Sequence, residues 1–244
     1  CRKQADCDAL IAQGLASPRL DYNDTASITA ALAEVLDATG GTLDALFNNG
    51  AYAIPGAVED LPTDTLRTIF ESNVFGWHEL TRQVIPIMRA QGHGRIVQCS
   101  SVLGFIPMKW RGAYVATKYA LEGLTDTLRL EMADTPIRIS LIEPGPITTR
   151  FRANAALAFD RWIDWQASAR ADQYRNELLG RLKSATEGKD PFELPASAVT
   201  KKLIHALEAR RPKPRYFVTV PTWGAAILSR VLPTRALDWI VGKG

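Results

Sequence analysis

The sequence has little cysteine and no long apolar run. Its three cysteines, Cys1, Cys7 and Cys99, are odd in number, and neither they nor the widely separated histidines stand at a spacing typical of a metal site. We therefore expect no bound metal. Unpaired thiols are typical of a reducing compartment, which favours a cytoplasmic location. No stretch approaches the ~20 apolar residues that span a bilayer, so no integral membrane segment is expected.

Long runs of one charge are also missing. The formal net charge is +3, and basic residues are interspersed with acidic ones, so we expect no nucleic-acid partner. The 244 residues, 46% hydrophobic and 23% charged, are sufficient for a sizeable core. Because the chain shows neither repeats nor a low-complexity linker, we interpret residues 1–244 as a single domain.

Short apolar runs alternate with longer helical patterns. Strands are predicted at residues 18–22, 43–47, 95–99, 138–142 and 216–220. Helices are predicted at residues 4–13, 26–38, 63–90 with a kink or a boundary at Pro86, 114–132, over most of 150–211, and at 222–240 with a break at Pro233. This alternation predicts an α/β fold whose parallel sheet is covered by helices on both faces, in three αβα layers.

Tyr114 and Lys118 stand four residues apart on a predicted helix. Residues at this spacing share a helix face, so an ammonium would lie beside a phenol and would lower the pKa of the Tyr114 hydroxyl. Such a tyrosine can exchange a proton with an alcohol or a carbonyl group. The same spacing also occurs on ordinary amphipathic helices, so the pair alone leaves a surface role open.

Other polar or turn-forming residues follow the predicted strands. Ser101 comes directly after strand 95–99 and thirteen residues before Tyr114, and the turn Asn48-Asn49-Gly50 ends strand 43–47. The segment 144–149 follows strand 138–142. Ligands of open α/β sheets bind beyond the carboxyl ends of the strands, although each segment alone could be a simple cap or turn.

The order of the segments NNGA, Asn73, GRIVQCSS, YVATK and EPGPITT resembles the short-chain dehydrogenase/reductase family. The resemblance covers residues 1–150 well and is weaker beyond them. It implies a Rossmann-like, doubly wound parallel sheet. It also implies an oxidoreductase that transfers a hydride between a nicotinamide cofactor and a carbonyl compound or secondary alcohol.

The resemblance implies a role for each matching residue. Tyr114 would be the catalytic acid or base, with Lys118 lowering its pKa and binding the nicotinamide ribose. Ser101 would hold the substrate oxygen, and Asn73 would anchor a water in a proton relay. Besides Tyr114 and Lys118, the implied cofactor contacts are Asp21, Asn48, Gly50, Pro144, Gly145, Ile147 and Thr149.

Arg2 stands where the second strand of the family ends. A guanidinium there can pair with the 2′-phosphate of NADP(H), so we favour NADP(H), with NAD(H) possible. An ordinary surface position for Arg2 and Lys3 is the alternative. The family's glycine-rich turn TGxxxGxG is not in the sequence, which begins with Cys1. We therefore expect the first βα unit to be absent and the natural chain to be about thirty residues longer.

Three questions about function stay open at this stage. Without the glycine-rich turn, the chain could be a non-catalytic nucleotide-binding protein or an inactive truncated member of the same fold. Apolar residues in 150–211 and 222–240, including Phe151, Phe159 and Trp162, could cover a lipophilic substrate, or could be core or a homodimer or homotetramer interface. Basic residues near the C-terminal apolar face, Arg230, Arg235 and Lys243, would also allow loose contact with a membrane surface.

Overall fold

A computed structural model describes residues 1–183 and 192–242. Its strands are β1 (Ala45–Asn48), β2 (Gly94–Cys99), β3 (Ile137–Glu143), β4 (Ile147–Thr148), β5 (Leu194–Pro195) and β6 (Arg215–Phe217). The main sheet of the described chain has the order β1-β2-β3-β6, and all neighbours are parallel. The short strands β4 and β5 pair separately, also in parallel.

The helices cover most of the remaining described chain. They are α1 (Gln4–Ile11), α2 (Thr25–Thr39), α3 (Thr63–Phe70), α4 (Gly76–Gln91), α5 (Gly112–Glu131), α6 (Phe151–Trp162), α7 (Ala171–Gln173), α8 (Leu179–Lys183), α9 (Ser197–Glu208), α10 (Val220–Val231) and α11 (Thr234–Val241). Within the described residues, every helix is too short or too polar to cross a membrane.

Both faces of the main sheet are covered by helices. Successive side chains of a strand point to opposite faces. Ile96 of β2 therefore packs in a core with α2 and α4, whereas Val97 packs in a second core with α9. On β3, Ile139 joins the first core and Ile142 the second. This arrangement confirms the predicted three-layer, doubly wound fold.

The predicted strand at 18–22 is not part of the main sheet. The terminal amino group of Cys1 donates to the Pro18 carbonyl at 3.3 Å, and the Leu20 N–H donates to the Cys1 carbonyl at 2.8 Å. This is the pattern of one rung of a parallel ladder. Residues 18–20 are thus hydrogen-bonded beside Cys1, but among the described residues they have no further strand to pair with.

The long helix predicted at 63–90 is interrupted well before Pro86. Pro86 lies inside α4 on its exposed side, where water can hydrate the carbonyl that the proline leaves without an N–H partner. The irregularity is instead a π-helical turn at Glu71–Phe75, which separates α3 from α4. The boundary predicted at Pro86 is therefore wrong, because the helix continues through it and the interruption lies at the π-helical turn.

Near the C-terminus, one predicted boundary differs from the structure and another is confirmed. The strand predicted at 216–220 ends at Phe217, because Thr219 caps α10 with extended backbone angles and Pro221 stands in the first turn of that helix. The predicted break at Pro233 is confirmed, since it separates α10 from α11. Region 150–211 is mostly helical where it is described, with β5 as an addition, and residues 184–191 and Lys243 lie outside the described residues.

Candidate active site

The loops that follow β2 and β3 lie side by side at one edge of the main sheet. The Ser100 N–H donates to the Ile142 carbonyl at 2.8 Å, and the Val102 N–H donates to the Pro144 carbonyl at 2.8 Å. Hydrogen bonding therefore continues beyond the ends of the strands. It brings Ser101 next to the segment that starts at Pro144, at the edge where open α/β sheets bind ligands.

Ser101 and Tyr114 lie in a site that is largely closed to solvent. Ser101 begins a short 3-10 helix, and its Oγ accepts from the Leu103 N–H at 3.2 Å. Tyr114 is only 7% exposed, and the ring of Phe151 packs edge-on against it at 5.2 Å between centroids. Burial raises the pKa of Tyr114, while the nearby Ser101 hydroxyl lowers it by less.

Lys118 lies beside Tyr114 on α5 with its side chain 1% exposed. Its Nζ donates to the Cys99 carbonyl at 2.7 Å and lies 4.4 Å from the centroid of the Trp77 ring and 5.6 Å from that of Tyr114. Burial lowers the pKa of Lys118 to about 8. The two side chains meet as their spacing predicts, but the pKa of Tyr114 is raised and not lowered, because burial outweighs the other effects.

Asn73 is fully buried inside the π-helical turn. Its Oδ1 accepts from the Tyr52 N–H at 3.2 Å, and its Nδ2 donates to the Tyr52 carbonyl at 2.9 Å and to Thr117 Oγ1 at 3.3 Å. Single π-helical turns are frequent at functional sites. Here the turn directs one amide toward both the loop after β1 and the residue before Lys118.

The segment from Pro144 to Thr149 is fixed by neighbours on both sides. A Cβ at Gly145 would overlap Thr219 Oγ1 and would lie 2.8 Å from Thr222 Oγ1, so the close approach of α10 requires glycine here. Ile147 belongs to β4, and Thr149 Oγ1 accepts from the N–H of Phe151 at the start of α6 at 3.2 Å. The segment thus connects the sheet edge to the helix that covers Tyr114.

Asn48 and Gly50, two predicted cofactor contacts near β1, form hydrogen bonds with other residues of the protein. Asn48 is fully buried, accepts from the Tyr22 hydroxyl at 3.2 Å and donates to Thr81 Oγ1 at 3.1 Å. The Gly50 carbonyl accepts from Trp77 Nε1 at 2.9 Å. These bonds make Asn48 and Gly50 part of the frame of the site.

Asp21 and Arg2 lie farther out than the buried residues of the site. The Asp21 carboxylate accepts from the Asn23 N–H at 3.1 Å, which closes the turn before α2. Arg2 is exposed, and its charge is close enough to Tyr52 to oppose the rise in the Tyr52 pKa that burial causes. Arg2 therefore lies within electrostatic range of the residue that follows the Asn48–Gly50 turn.

A partly buried ion cluster behind the site was not predicted from the sequence. Arg215 on β6 donates to Glu122 and Asp126 at 2.5 Å each and also to Glu143, which is the residue before Pro144. Burial and the nearby Glu122 raise the pKa of Glu143 to about 8. The carboxylates four and eight residues after Lys118 and the one directly before Pro144 were the available signal, but their shared partner is about 70 to 90 residues away.

Comparison with known proteins agrees with this geometry. A model of the short chain dehydrogenase family matches residues 5–158, well over half of the chain. The protein therefore belongs to this family, and it is an oxidoreductase of the short-chain dehydrogenase/reductase type.

Individual relatives extend the similarity along the whole chain. The uncharacterized oxidoreductase YbbO of Escherichia coli is 36% identical over 99% of this chain and 82% of its own length. An NADPH-dependent 3-dehydrocapnine reductase of Ornithobacterium rhinotracheale is 29% identical over 91% of this chain and 78% of its own. The crystal structure of a short-chain dehydrogenase from Streptomyces avermitilis superposes with a TM-score of 0.73 at 27% identity, covering 100% of this chain and 86% of that one.

The buried polar groups of the site fit the nicotinamide and ribose part of a dinucleotide. The Lys118 ammonium can donate three hydrogen bonds, but the structure gives it one carbonyl acceptor and two aromatic ring faces. Donors in excess of acceptors suit the hydroxyl groups of a ribose. The glycine-rich turn that would receive the pyrophosphate is not in the printed sequence, so the fit concerns only this half of the cofactor.

Proposed function

We propose that this protein catalyses hydride transfer between NADP(H) and a lipophilic carbonyl compound or secondary alcohol. The observation that carries this proposal is the convergence of Ser101, Tyr114 and Lys118 at the carboxyl edge of the sheet. Phe151 covers Tyr114 and excludes water from it. A nicotinamide cofactor supplies or accepts the hydride when bound.

Each polar side chain of the site has one proposed role in the reaction. The Ser101 hydroxyl donates to the substrate oxygen, and the Tyr114 hydroxyl gives that oxygen its proton as the carbonyl carbon becomes an alcohol carbon. Because burial raises the pKa of Tyr114, the hydroxyl stays protonated, which is the state that carbonyl reduction needs. Lys118 would bind the ribose hydroxyls, and Asn73 would hold the water that returns a proton toward Lys118.

We favour NADP(H) over NAD(H) for two reasons. Arg2 is exposed and close enough to Tyr52, which follows the Asn48–Gly50 turn, to influence the Tyr52 pKa, so a 2′-phosphate bound near that turn could pair with it. The relative from Ornithobacterium is itself named as NADPH-dependent. The other proposed cofactor contacts are Asp21, Asn48, Gly50, Pro144, Gly145, Ile147 and Thr149.

Aromatic side chains beside the site favour a lipophilic substrate. Phe105, just after the 3-10 helix that Ser101 begins, packs edge-on against Phe217 at 5.9 Å, and Phe217 packs against Trp223 at 4.8 Å. This row leads from the polar groups toward α10. We further propose that the enzyme works in the cytoplasm, in keeping with its three free cysteines, and as a homodimer or homotetramer.

The test is NADPH consumption by the full-length protein with ketones and aldehydes of increasing chain length. We expect turnover to rise with chain length, and Tyr114→Phe to reduce kcat by about 10²–10⁴-fold. Tyr119→Phe is the matched control, because Tyr119 lies on the same helix but is 44% exposed. Binding of NADPH without turnover of any carbonyl would indicate a non-catalytic role, and no binding of NADPH or NADH would refute the proposal.

The choice of cofactor is tested separately. Arg2→Ala should raise KM for NADPH about tenfold or more and leave KM for NADH nearly unchanged, since only NADPH carries the 2′-phosphate. Lys3→Ala, one residue away and also exposed, is the control. Equal effects of Arg2→Ala on both cofactors would show that Arg2 does not read the phosphate.

A further inference from the structure

The exposed side of α10 is apolar. Val220, Trp223, Ile227 and Val231 follow one another at intervals of three or four residues, so they form one stripe along the helix, and each is between 52% and 71% exposed. The buried side of α10 carries only small residues, Thr222 and Ala226 among them. We call the four exposed residues the α10 stripe. It is the reverse of an ordinary surface helix, whose apolar face points to the core.

The next helix, α11, continues this apolar surface. None of its residues is buried, and Trp239 and Ile240 are 65% and 41% exposed. The apolar residues of such a helix need a further partner or an apolar phase. Two consecutive helices at this end of the chain therefore present apolar side chains outward.

Basic residues lie beside this apolar surface. Arg230 at the end of α10 and Arg235 at the start of α11 are exposed, and Asp238 is the only acidic residue between positions 220 and 242. A second copy of the chain would bring arginines toward arginines, and protein interfaces tend to exclude charge from their apolar centre. Apolar and tryptophan side chains next to arginines that outnumber the acidic residues instead fit a lipid surface with anionic headgroups.

The α10 stripe is connected to the candidate active site. Trp223 belongs to the stripe, and its ring contacts Phe217, which in turn contacts Phe105 beside the Ser101 loop. We propose that α10 and α11 dock the protein onto an anionic phospholipid surface, from which a lipophilic substrate reaches the site along this aromatic row. The substrate route rests on the proposed function, whereas docking depends only on the surface of the two helices.

Vesicle flotation tests the apolar part of the proposal. We expect the full-length protein to bind vesicles of phosphatidylcholine with phosphatidylglycerol, and Ile227→Asn with Val231→Asn to weaken binding more than tenfold. The control is Leu124→Asn with Leu130→Asn, a second exposed apolar pair on one helix, α5, which should leave binding unchanged. Far-ultraviolet circular dichroism checks that both variants are folded.

A second pair of variants tests the charges and does not alter the apolar stripe. Arg230→Gln with Arg235→Gln should weaken binding to anionic vesicles about fivefold for each arginine at low salt, and should have no effect with pure phosphatidylcholine. Arg210→Gln with Arg211→Gln, exposed arginines in the loop before β6, serves as the control. Equal losses in the two pairs would mean that net charge alone is responsible, and would contradict docking through α10 and α11.

Three further outcomes would overturn the proposal, and they differ from failure of the proposed function. The first is that the protein does not float with anionic vesicles, and the second is that the α5 control pair weakens binding as much as the stripe pair. The third is that light scattering shows an oligomer that binds no vesicle and that Ile227→Asn with Val231→Asn dissociates, which would make the stripe a contact between copies. Reduction of a water-soluble carbonyl reports on the proposed function independently, because it needs no lipid.

Discussion

Asn73 offers the sharpest test of how the site is held together. Asn73→Ala removes the partner of both the N–H and the carbonyl of Tyr52, and one partner of Thr117, whose hydroxyl still donates to the Tyr114 carbonyl at 2.8 Å. Each buried group left unpaired costs about 1–3 kcal/mol. Because Tyr52 is half-buried and water can reach it, we use the lower end for its two groups and add a small term for the lost side-chain volume.

The sum predicts that Asn73→Ala lowers the free energy of unfolding by about 2–4 kcal/mol, a substantial part of the roughly 5–15 kcal/mol that holds a typical domain folded. Urea unfolding followed by fluorescence measures it. Asn154→Ala, an exposed asparagine of α6, should change stability by less than about 0.5 kcal/mol. If Asn73→Ala also changed the free energy of unfolding by less than about 0.5 kcal/mol, the reasoning would be refuted.

A near-isosteric variant separates hydrogen bonding from packing. Asn73→Asp keeps the acceptor for the Tyr52 N–H but places a carboxylate oxygen against the Tyr52 carbonyl. We expect it to be at least as destabilising as Asn73→Ala at neutral pH, and to recover at acid pH, where the protonated carboxyl can donate again. Failure to recover would mean that the amide acts mainly by filling space.

Three further predictions concern Lys118, Gly145 and Glu143. Lys118→Met should abolish carbonyl reduction yet stabilise the cofactor-free fold by on the order of 1–3 kcal/mol. The reason is that burial, which lowers the lysine pKa to about 8, penalises the charged form of Lys118 at neutral pH. Unchanged or lower thermal stability of the variant would contradict this. Gly145→Ala should destabilise by about 1–3 kcal/mol through overlap with Thr219, whereas Gly123→Ala, with open space around it, should not. Glu143 has a pKa of about 8 in the folded protein, above its usual value of 4.5. The free energy of unfolding should therefore fall as pH rises between these two values, by up to about 1.4 kcal/mol per pH unit. Glu143→Gln should flatten that slope in denaturant titrations at several pH values.

Properties that depend on nearby sequence could be predicted. The helix positions of Tyr114 and Lys118, and the place of Ser101 just beyond a strand, follow from short-range periodicity and from turn-forming residues. The Asp24 cap of α2, which accepts from the Ser27 N–H at 3.1 Å, is local in the same way. These features fixed the fold class and the location of the candidate site.

Properties that depend on distant residues could not be predicted. The pKa of Tyr114 is raised because Phe151 and the rest of the site exclude water, and the spacing of Tyr114 and Lys118 contains no information about burial. A lone helix asparagine usually faces solvent, and no nearby residue predicts the π-helical turn that directs Asn73 inward to Tyr52. The partners in both cases come from other elements of the fold.

Which face of α10 points outward could not be predicted from its sequence either, because it depends on packing against distant residues. Its sequence predicts an amphipathic helix, but a periodic pattern does not say which side faces the protein. The structure places small Thr222 against Gly145, where Thr219 and Thr222 also share a hydrogen bond of 2.9 Å between their hydroxyls. Because only small side chains fit this close approach, the larger Trp223 and Ile227 are turned outward. Packing at the sheet edge therefore decides that the apolar stripe is exposed, which is the condition for the docking proposed above.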